Sequence, residues 1–383
     1  MTIKVSKPAI NIREELADLK QDTGLKGQEL MRADTAQEAR TAIGAGRKNI
    51  IYNGAMQVAQ RGTSFAAADA VYTVDRFKFW ANHGVFTLTQ DSDAPAGFGS
   101  SLKIDCTTAD TSIAAGSYVQ FAQFLEGQDL QNLKKGTSDA LPVTLSFWVK
   151  TNKTGTYHVN LLDGDNSNRF ISKSYSVSTA DTWEKIELTF VGDTTGAFNN
   201  DNAQSFMIDW WFASGSTYNS GTFHTSWAAN SSADRAASLN VNLADSTSNY
   251  FQITGVQLEV GKVATEFEHR SYGEELALCQ RYYQAIANGE LWGSTNTTSR
   301  MRINARLSPD MRNTPTITRV SGTTVSFQGS GVGKTSTDTS SAQAATSSPR
   351  ALGFDLGGFT SLGDRAYAGG NSAAVVFTAD AEL

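Results

Sequence analysis

Four stretches of this chain alternate apolar and polar residues one for one, and that period places two sets of side chains on opposite faces of a strand. Val143, Leu145, Phe147 and Val149 alternate with Thr144, Ser146, Trp148 and Lys150. Ile186, Leu188 and Phe190 repeat the pattern after Trp183, and Phe206, Ile208, Trp210 and Phe212 repeat it again. The fourth stretch changes step. Phe251 and Ile253 share one parity, Gly255 interrupts, and Val256, Leu258 and Val260 resume on the other. A parity change at a glycine predicts a β-bulge or a bend. Residues 157–162 and 169–174 flank the turn-rich DGDNSN of 163–168, a hairpin signal. No long helical pattern breaks the run, so 49–270 reads as one antiparallel β-sandwich or jelly roll.

The flanks differ. In residues 1–48, Asn11 with Glu14 caps a short helix carrying Ile12, Leu16 and Leu19. Thr35 with Glu38 forms a capping box ahead of Ala39 and Ile43, and Gly44 and Gly46 stop that second helix. Two short helices with so few apolar residues cannot bury a core of their own, so this segment needs a partner, either copies of itself or the surface of a larger assembly. After Gly261 ends the last strand, Ser271 with Glu274 is another capping box. Leu276, Cys279, Tyr283 and Ile286 then share one helical face up to Asn288 and Gly289, which predicts a linking helix over 271–288. Residues 289–383 read as a second, smaller β-domain. It holds a strand pair over 291–307, a turn at Pro309 and Pro315, and an alternating stretch over 316–327. A Ser/Thr/Ala-rich loop over 336–348, a Gly-rich stretch over 353–362 and a last strand over 373–378 complete it.

Charged residues are 18% and prolines number 6, which suits a turn-rich, mainly β protein. A net charge of −6 argues against nucleic-acid binding, and Arg300, Arg302, Arg306 and Arg312 read as a solvated strand face. Cys106 and Cys279 are too few and too far apart for a disulfide framework. No secretory signal or membrane-length apolar run is visible, so a soluble protein made in a cytoplasm is expected.

Signs of catalysis are few. His83, His158, His224 and His269 form no metal-ligand spacing, and no GxSxG occurs. GSGVGKT at 329–335 has Gln328 where a phosphate loop needs its first glycine, so a surface loop is the better reading. DGDNSN fails the calcium-loop spacing and reads as a hairpin turn. Asp163, Asp165, Asp201, Asp209, Asp234 and Asp245 could supply carboxylates for glycoside hydrolysis, but spacing pairs no two of them. No metal and no cofactor is expected.

One resemblance carries further. ITGVQLEVGKVATEFEHRSYGEELALCQRYYQ (253–284) resembles the segment that closes a jelly-roll domain in bacteriophage tail-fibre and related virion-fibre proteins. NIIYNGAMQVAQRGTSF (49–65) and YTVDRFKFW (72–80) match the opening of that domain. LPVTLSFWVKTNKTGTY (141–157) and ADTWEKIELTF (180–190) match its middle, in the same order. The resemblance covers roughly 49–285 and leaves the last hundred residues unmatched. It implies a jelly roll similar to carbohydrate-binding modules, on a virion appendage of tail or capsid. Residues 1–48 would attach it, the body would form a homotrimer, and the C-terminal domain would be the tip that meets a host-surface glycan. A head fibre or decoration protein is the alternative of the same class. A polysaccharide depolymerase is the alternative of another, although the long β-helix repeats usual in tailspike depolymerases do not occur here.

Sugars present apolar C–H faces to aromatic rings and hydroxyls to Asn and Asp, so the aromatic-rich 209–227 is the expected glycan site. Its candidate residues are Asp209, Trp211, Tyr218, Asn219 and Trp227. Parity places Trp210 inside the sandwich, with Trp211 and Asp209 outside. An outward tryptophan has three explanations: a ligand platform, contact with a neighbouring subunit, or cover by a loop. Trp148 is also outward and, with Leu16 and Leu19, is a candidate for the subunit interface.

Overall fold

The computed structural model describes residues 48–67, 69–329, 332–336, 343–359, 362, 366–369 and 373–383. Leu16, Leu19 and the two expected N-terminal helices lie outside the described residues. The chain divides into two units, Met1–Ile50 and Ile51–Leu383, and every described strand and helix belongs to the second.

In chain order the body contains β1 (Ser64–Ala67), β2 (Val71–Tyr72), β3 (Phe77–Ala81), β4 (Val85–Asp91), β5 (Ser101–Thr108) and β6 (Tyr118–Glu126). It continues with β7 (Val143–Thr151), β8 (Gly155–Asp163), β9 (Arg169–Val177), β10 (Glu184–Phe190), β11 (Gln204–Ser214) and β12 (Tyr250–Val260). These form two six-stranded sheets, β1-β4-β5-β12-β7-β10 and β2-β3-β6-β11-β8-β9. All their pairings are antiparallel, and the protein is mainly β.

The alternation decides what the two sheets enclose. Val143, Leu145, Phe147 and Val149 are buried on β7, and Phe147 meets Trp210 of the opposite sheet at 5.7 Å between ring centroids. Phe212 and Phe251 close the next layer at 4.6 Å, and Phe79 and Phe86 another at 5.5 Å. The step at Gly255 is a bulge. The β12–β7 register shifts between Thr254 and Gln257, and Gly255 sits at φ +63°, a conformation glycine adopts without steric cost. The 163–168 hairpin also forms, with Asp163 opposite Arg169.

Two short helices follow β11 and β12: α1 (Ser216–Asn219) and α2 (Tyr272–Gln280). The Ser271–Glu274 capping box opens α2 as expected. Its far end does not match the expectation of a helix to 288. The chain leaves the helix after Gln280, and Tyr283 and Ile286 belong to a strand, β13 (Tyr283–Ala287). That strand pairs with the last strand of the chain, and a long-range ladder overrides the local helical spacing.

The remaining strands are β14 (Trp292–Thr297), β15 (Arg300–Arg306), β16 (Thr316–Arg319), β17 (Val325–Gly329) and β18 (Val332–Ser336). β19 (Gln343–Ser348), β20 (Ala351–Leu356), β21 (Ala366–Gly369) and β22 (Val375–Asp380) end the order. They form sheets β13-β22-β16 and β18-β17-β21-β14-β15-β20-β19 around a shared apolar core that includes Met301, Ile303, Phe327, Phe354 and Phe377. The alternating stretch over 316–327 is two strands in different sheets. The expected loop over 336–348 contains an edge strand, β19, because its residues pair with β20.

Charged and aromatic side chains join the sandwich to the C-terminal sheets. Arg76 is fully buried, stacks 3.4 Å from the Tyr282 ring centroid, and pairs with Glu382. Arg61 contacts Asp380 and Glu382 and covers Tyr283. Arg281 grips buried Glu126 through two hydrogen bonds of 2.8 and 2.7 Å. The Tyr72 hydroxyl donates to the Leu383 carbonyl at 2.6 Å.

Candidate functional site

The outer face of the second sheet is divided between a roofed half and an open half. The segment between β11 and β12 folds back over β8, β9 and the end of β11. Backbone hydrogen bonds from Ser172 to the His224 carbonyl, and between Phe170 and Ala228 in both directions, fasten it down. Asp234 holds the loop's own shape by accepting from Thr222 N–H at 2.6 Å and facing His224 at 3.1 Å.

Beneath this roof lies a polar layer. His158 is fully buried, and its ring nitrogens lie 2.7 Å from Ser238 Oγ and 2.8 Å from Asn160 Oδ1. Asn160 Oδ1 also accepts from the Ser172 hydroxyl at 2.6 Å, and its amide donates to the Arg235 carbonyl at 2.8 Å. That network assigns Nε2–H as donor to Asn160 and Nδ1 as acceptor from Ser238. The order Ser–His–Asn matches the arrangement of a nucleophile, a base and an orienting group. Burial, however, pulls the His158 pKa down to about 4, leaving it a weak base. Its chemistry is that of a neutral pin between sheet and loop.

The expected site residues separate in this setting. Trp211 and Asp209 stand on the outward parity, but both are fully buried, which corrects the expectation that they meet a ligand. Asp209 Oδ2 accepts from Trp211 Nε1–H at 2.9 Å and from Arg235 at 2.6 Å, and Tyr218 lies against the Trp211 ring. Of the three explanations for an outward tryptophan, cover by a loop holds at Trp211. Tyr218 and Asn219 sit half-buried at the loop rim, and the Asn219 amide is engaged on Ser214. Trp227 is elsewhere: its indole donates to the Val191 carbonyl and it packs on Phe206. Trp148 is half-buried on the outer side of the first sheet.

The six aspartates are engaged as partners of other groups. Asp163 and Asp193 flank the buried Lys135 ammonium, which also donates to the Thr195 and Gly196 carbonyls at 2.9 and 2.7 Å. Asp245 pairs with Lys153, Asp165 accepts from Asn199, and Asp201 caps Ala203 N–H. Among the described residues no group of three His, Cys, Asp or Glu could hold a metal ion, and no helix is long and apolar enough to cross a membrane. Cys106 and Cys279 are free, buried thiols. Arg302 of β15 pairs with Asp355 of β20, while Arg300 and Arg306 are exposed on the same parity of β15.

The open half of the face lies over β2, β3 and β6. Phe77 and Phe79 point into the sandwich, so Lys78 and Trp80 point out, beside Gln120 and Phe124 of β6. Trp80 meets Phe124 edge-on at 5.7 Å, above buried Ala122. Tyr72, Lys78, Trp80, Tyr118, Gln120 and Met207 are all half-buried, and Tyr118 meets Tyr218 of the loop rim at 6.0 Å. The Gln120 amide makes no hydrogen bond among the described residues. An aromatic floor with unengaged polar groups beside it is what a sugar-binding face requires. The sequence analysis missed these residues, although their parity was readable in FKFW at 77–80.

A second concavity, about 560 Å³, opens where the sandwich meets the C-terminal sheets. Its inner cations are already paired. Arg281 holds Glu126, Arg312 donates to the carbonyls of Ala381, Asn202 and Glu382, and Arg350 meets Asp310 at the rim.

No protein-family model matches this chain, and no curated protein matches it. Solved structures give distant likenesses. The enzymatically active domain of tailspike protein 4 from bacteriophage CBA120 is 13% identical over 56% of this chain and 21% of its own, with a TM-score of 0.31. This chain thus spans about a fifth of the tailspike chain. A carbohydrate-binding module, CBM4, is 13% identical over 55% of this chain and 99% of its own, with a TM-score of 0.31. The family 11 carbohydrate-binding module of a Clostridium thermocellum cellulosomal cellulase is 10% identical over 52% and 99%, with a TM-score of 0.27. Likenesses this distant carry no argument about what this chain binds.

Proposed function

We propose that this protein is a structural and recognition component of a bacteriophage fibre whose body binds a host-surface glycan without cleaving it. In this reading residues 1–48 attach it to the virion, on a tail or capsid component, and the body works as a homotrimer. The fibre assignment rests on the resemblance of residues 49–285 to virion-fibre jelly rolls. The observation that carries the glycan assignment is the open half-face, where the Trp80 ring is half-exposed beside the unengaged amide of Gln120. A pyranose stacked on Trp80 would bring its hydroxyls to Gln120 and Tyr118. Weak single-site affinity suits such a face, because three linked copies raise avidity by roughly 10²–10⁴.

The test is binding of the full chain to purified host-surface polysaccharides, with Trp80→Ala measured beside it and reducing ends assayed in the same mixtures. Binding should weaken about tenfold or more in W80A, a loss of about 1.4 kcal/mol, at an unchanged melting temperature and with no reducing ends released. Wild-type affinity in the variant would remove the face from consideration. Release of reducing ends would favour a depolymerase instead.

A further inference from the structure

The open face holds a cation that no carboxylate among the described residues neutralises. Lys78 Nζ lies 5.0 Å from the Trp80 ring centroid, 5.1 Å from that of Tyr72 and 6.0 Å from that of Phe124. It makes neither an ion pair nor a hydrogen bond among those residues. Lys103 lies with Asp105, Lys150 with Asp93, and Lys185 with Glu187, whereas Lys134, Lys173 and Lys262, like Lys78, make no ion pair among the described residues. In a chain of net charge −6, what sets Lys78 apart is its place, a half-buried ammonium among three aromatic rings of one face. Asp69 is engaged with the Tyr118 hydroxyl, which lies 3.3 Å from its carboxylate oxygens.

The rings attract the ammonium through their faces, and they fix its position while shedding part of its hydration. What remains is a positioned donor of three hydrogen bonds with no acceptor, beside a ring suited to stack a sugar. We propose that this face takes an acidic glycan, a polysaccharide of carboxylate-bearing sugars. Trp80 is the stacking platform, Lys78 the carboxylate anchor and Gln120 the reader of a neighbouring hydroxyl. This assignment rests on the glycan-binding reading above and narrows it to one ligand class. The acidic chain gives no long-range attraction for a polyanion, so selectivity comes from this single close contact and is weakly sensitive to salt.

The experiment uses the full chain on a panel of polygalacturonate, alginate, hyaluronate and polysialate, each beside its carboxyl-reduced form. Wild type, Lys78→Met, Lys78→Arg and Trp80→Ala are compared by affinity electrophoresis, with melting temperatures as the control for folding. At least one acidic polymer should bind. Its affinity should fall about tenfold when its carboxyls are reduced, and about tenfold in K78M, in line with one charge-assisted hydrogen bond. K78R should retain most of it. Equal binding of acidic and reduced polymers, with K78M unaffected and W80A weakened, would overturn the acidic-glycan assignment and leave the aromatic platform standing. Binding to no polymer of either form would overturn both.

Discussion

Beneath the loop, His158 is held neutral by burial, and that has a pH signature. Its pKa is about 4 in the folded protein, against 6.5 for a free side chain. As pH falls below 6.5 the unfolded chain takes up a proton that the folded chain refuses. The stabilisation is therefore complete above pH 6.5, declines between 6.5 and 4, and is gone below that. At 1.36 kcal/mol per unit it amounts to about 3 kcal/mol at most. Melting curves from pH 7.5 to 4 should fall more steeply for wild type than for His158→Gln; parallel curves would contradict the assignment. The same loop explains which site residues could be read from the sequence. Parity on β11 places Trp211 and Asp209 on the outer face correctly, but it cannot say whether a face is covered. Arg235, which closes over Asp209, lies 26 residues further on. Lys78 and Trp80 were as legible by parity as Trp211. Their exposure depends on where another segment stops, and no local pattern encodes that.

At the scale of elements, the features readable in advance are those whose causes are local. The β7 alternation, the 163–168 hairpin, the Gly255 bulge and the Ser271 cap each need only a few neighbouring residues. The error at α2 has the opposite origin: Tyr283 and Ile286 suit a helical face, but their partners in β22 lie about a hundred residues away. The junction of sandwich and C-terminal sheets is of this long-range kind, and one charge decides much of it. Arg76 is fully buried and also sits at φ +74°, a left-handed conformation that non-glycine residues adopt at some cost. Glu382→Gln would leave its guanidinium without a counter-charge. Urea unfolding should then show a loss of about 3–5 kcal/mol, and a loss below about 1 kcal/mol would contradict the role given to this pair.

At the scale of the whole molecule, the fibre reading concerns assembly. Light scattering on the full chain should give the mass of three chains. Removing residues 1–48 should leave a soluble, folded protein that no longer enters particles. A monomeric full chain would withdraw the trimer and the avidity it supplies, though a single-copy glycan site would survive. The Arg76–Glu382 contact also bears on how the molecule is made. The two residues are 306 positions apart. At roughly 5–20 residues per second, a ribosome delivers the acid some 15–60 seconds after the base. All twelve strands of the body have emerged by then, with one of their deepest cations still unanswered. A nascent chain that has not yet reached Glu382 holds that charge uncompensated, so the sandwich depends on a far downstream residue to settle one of its own buried groups.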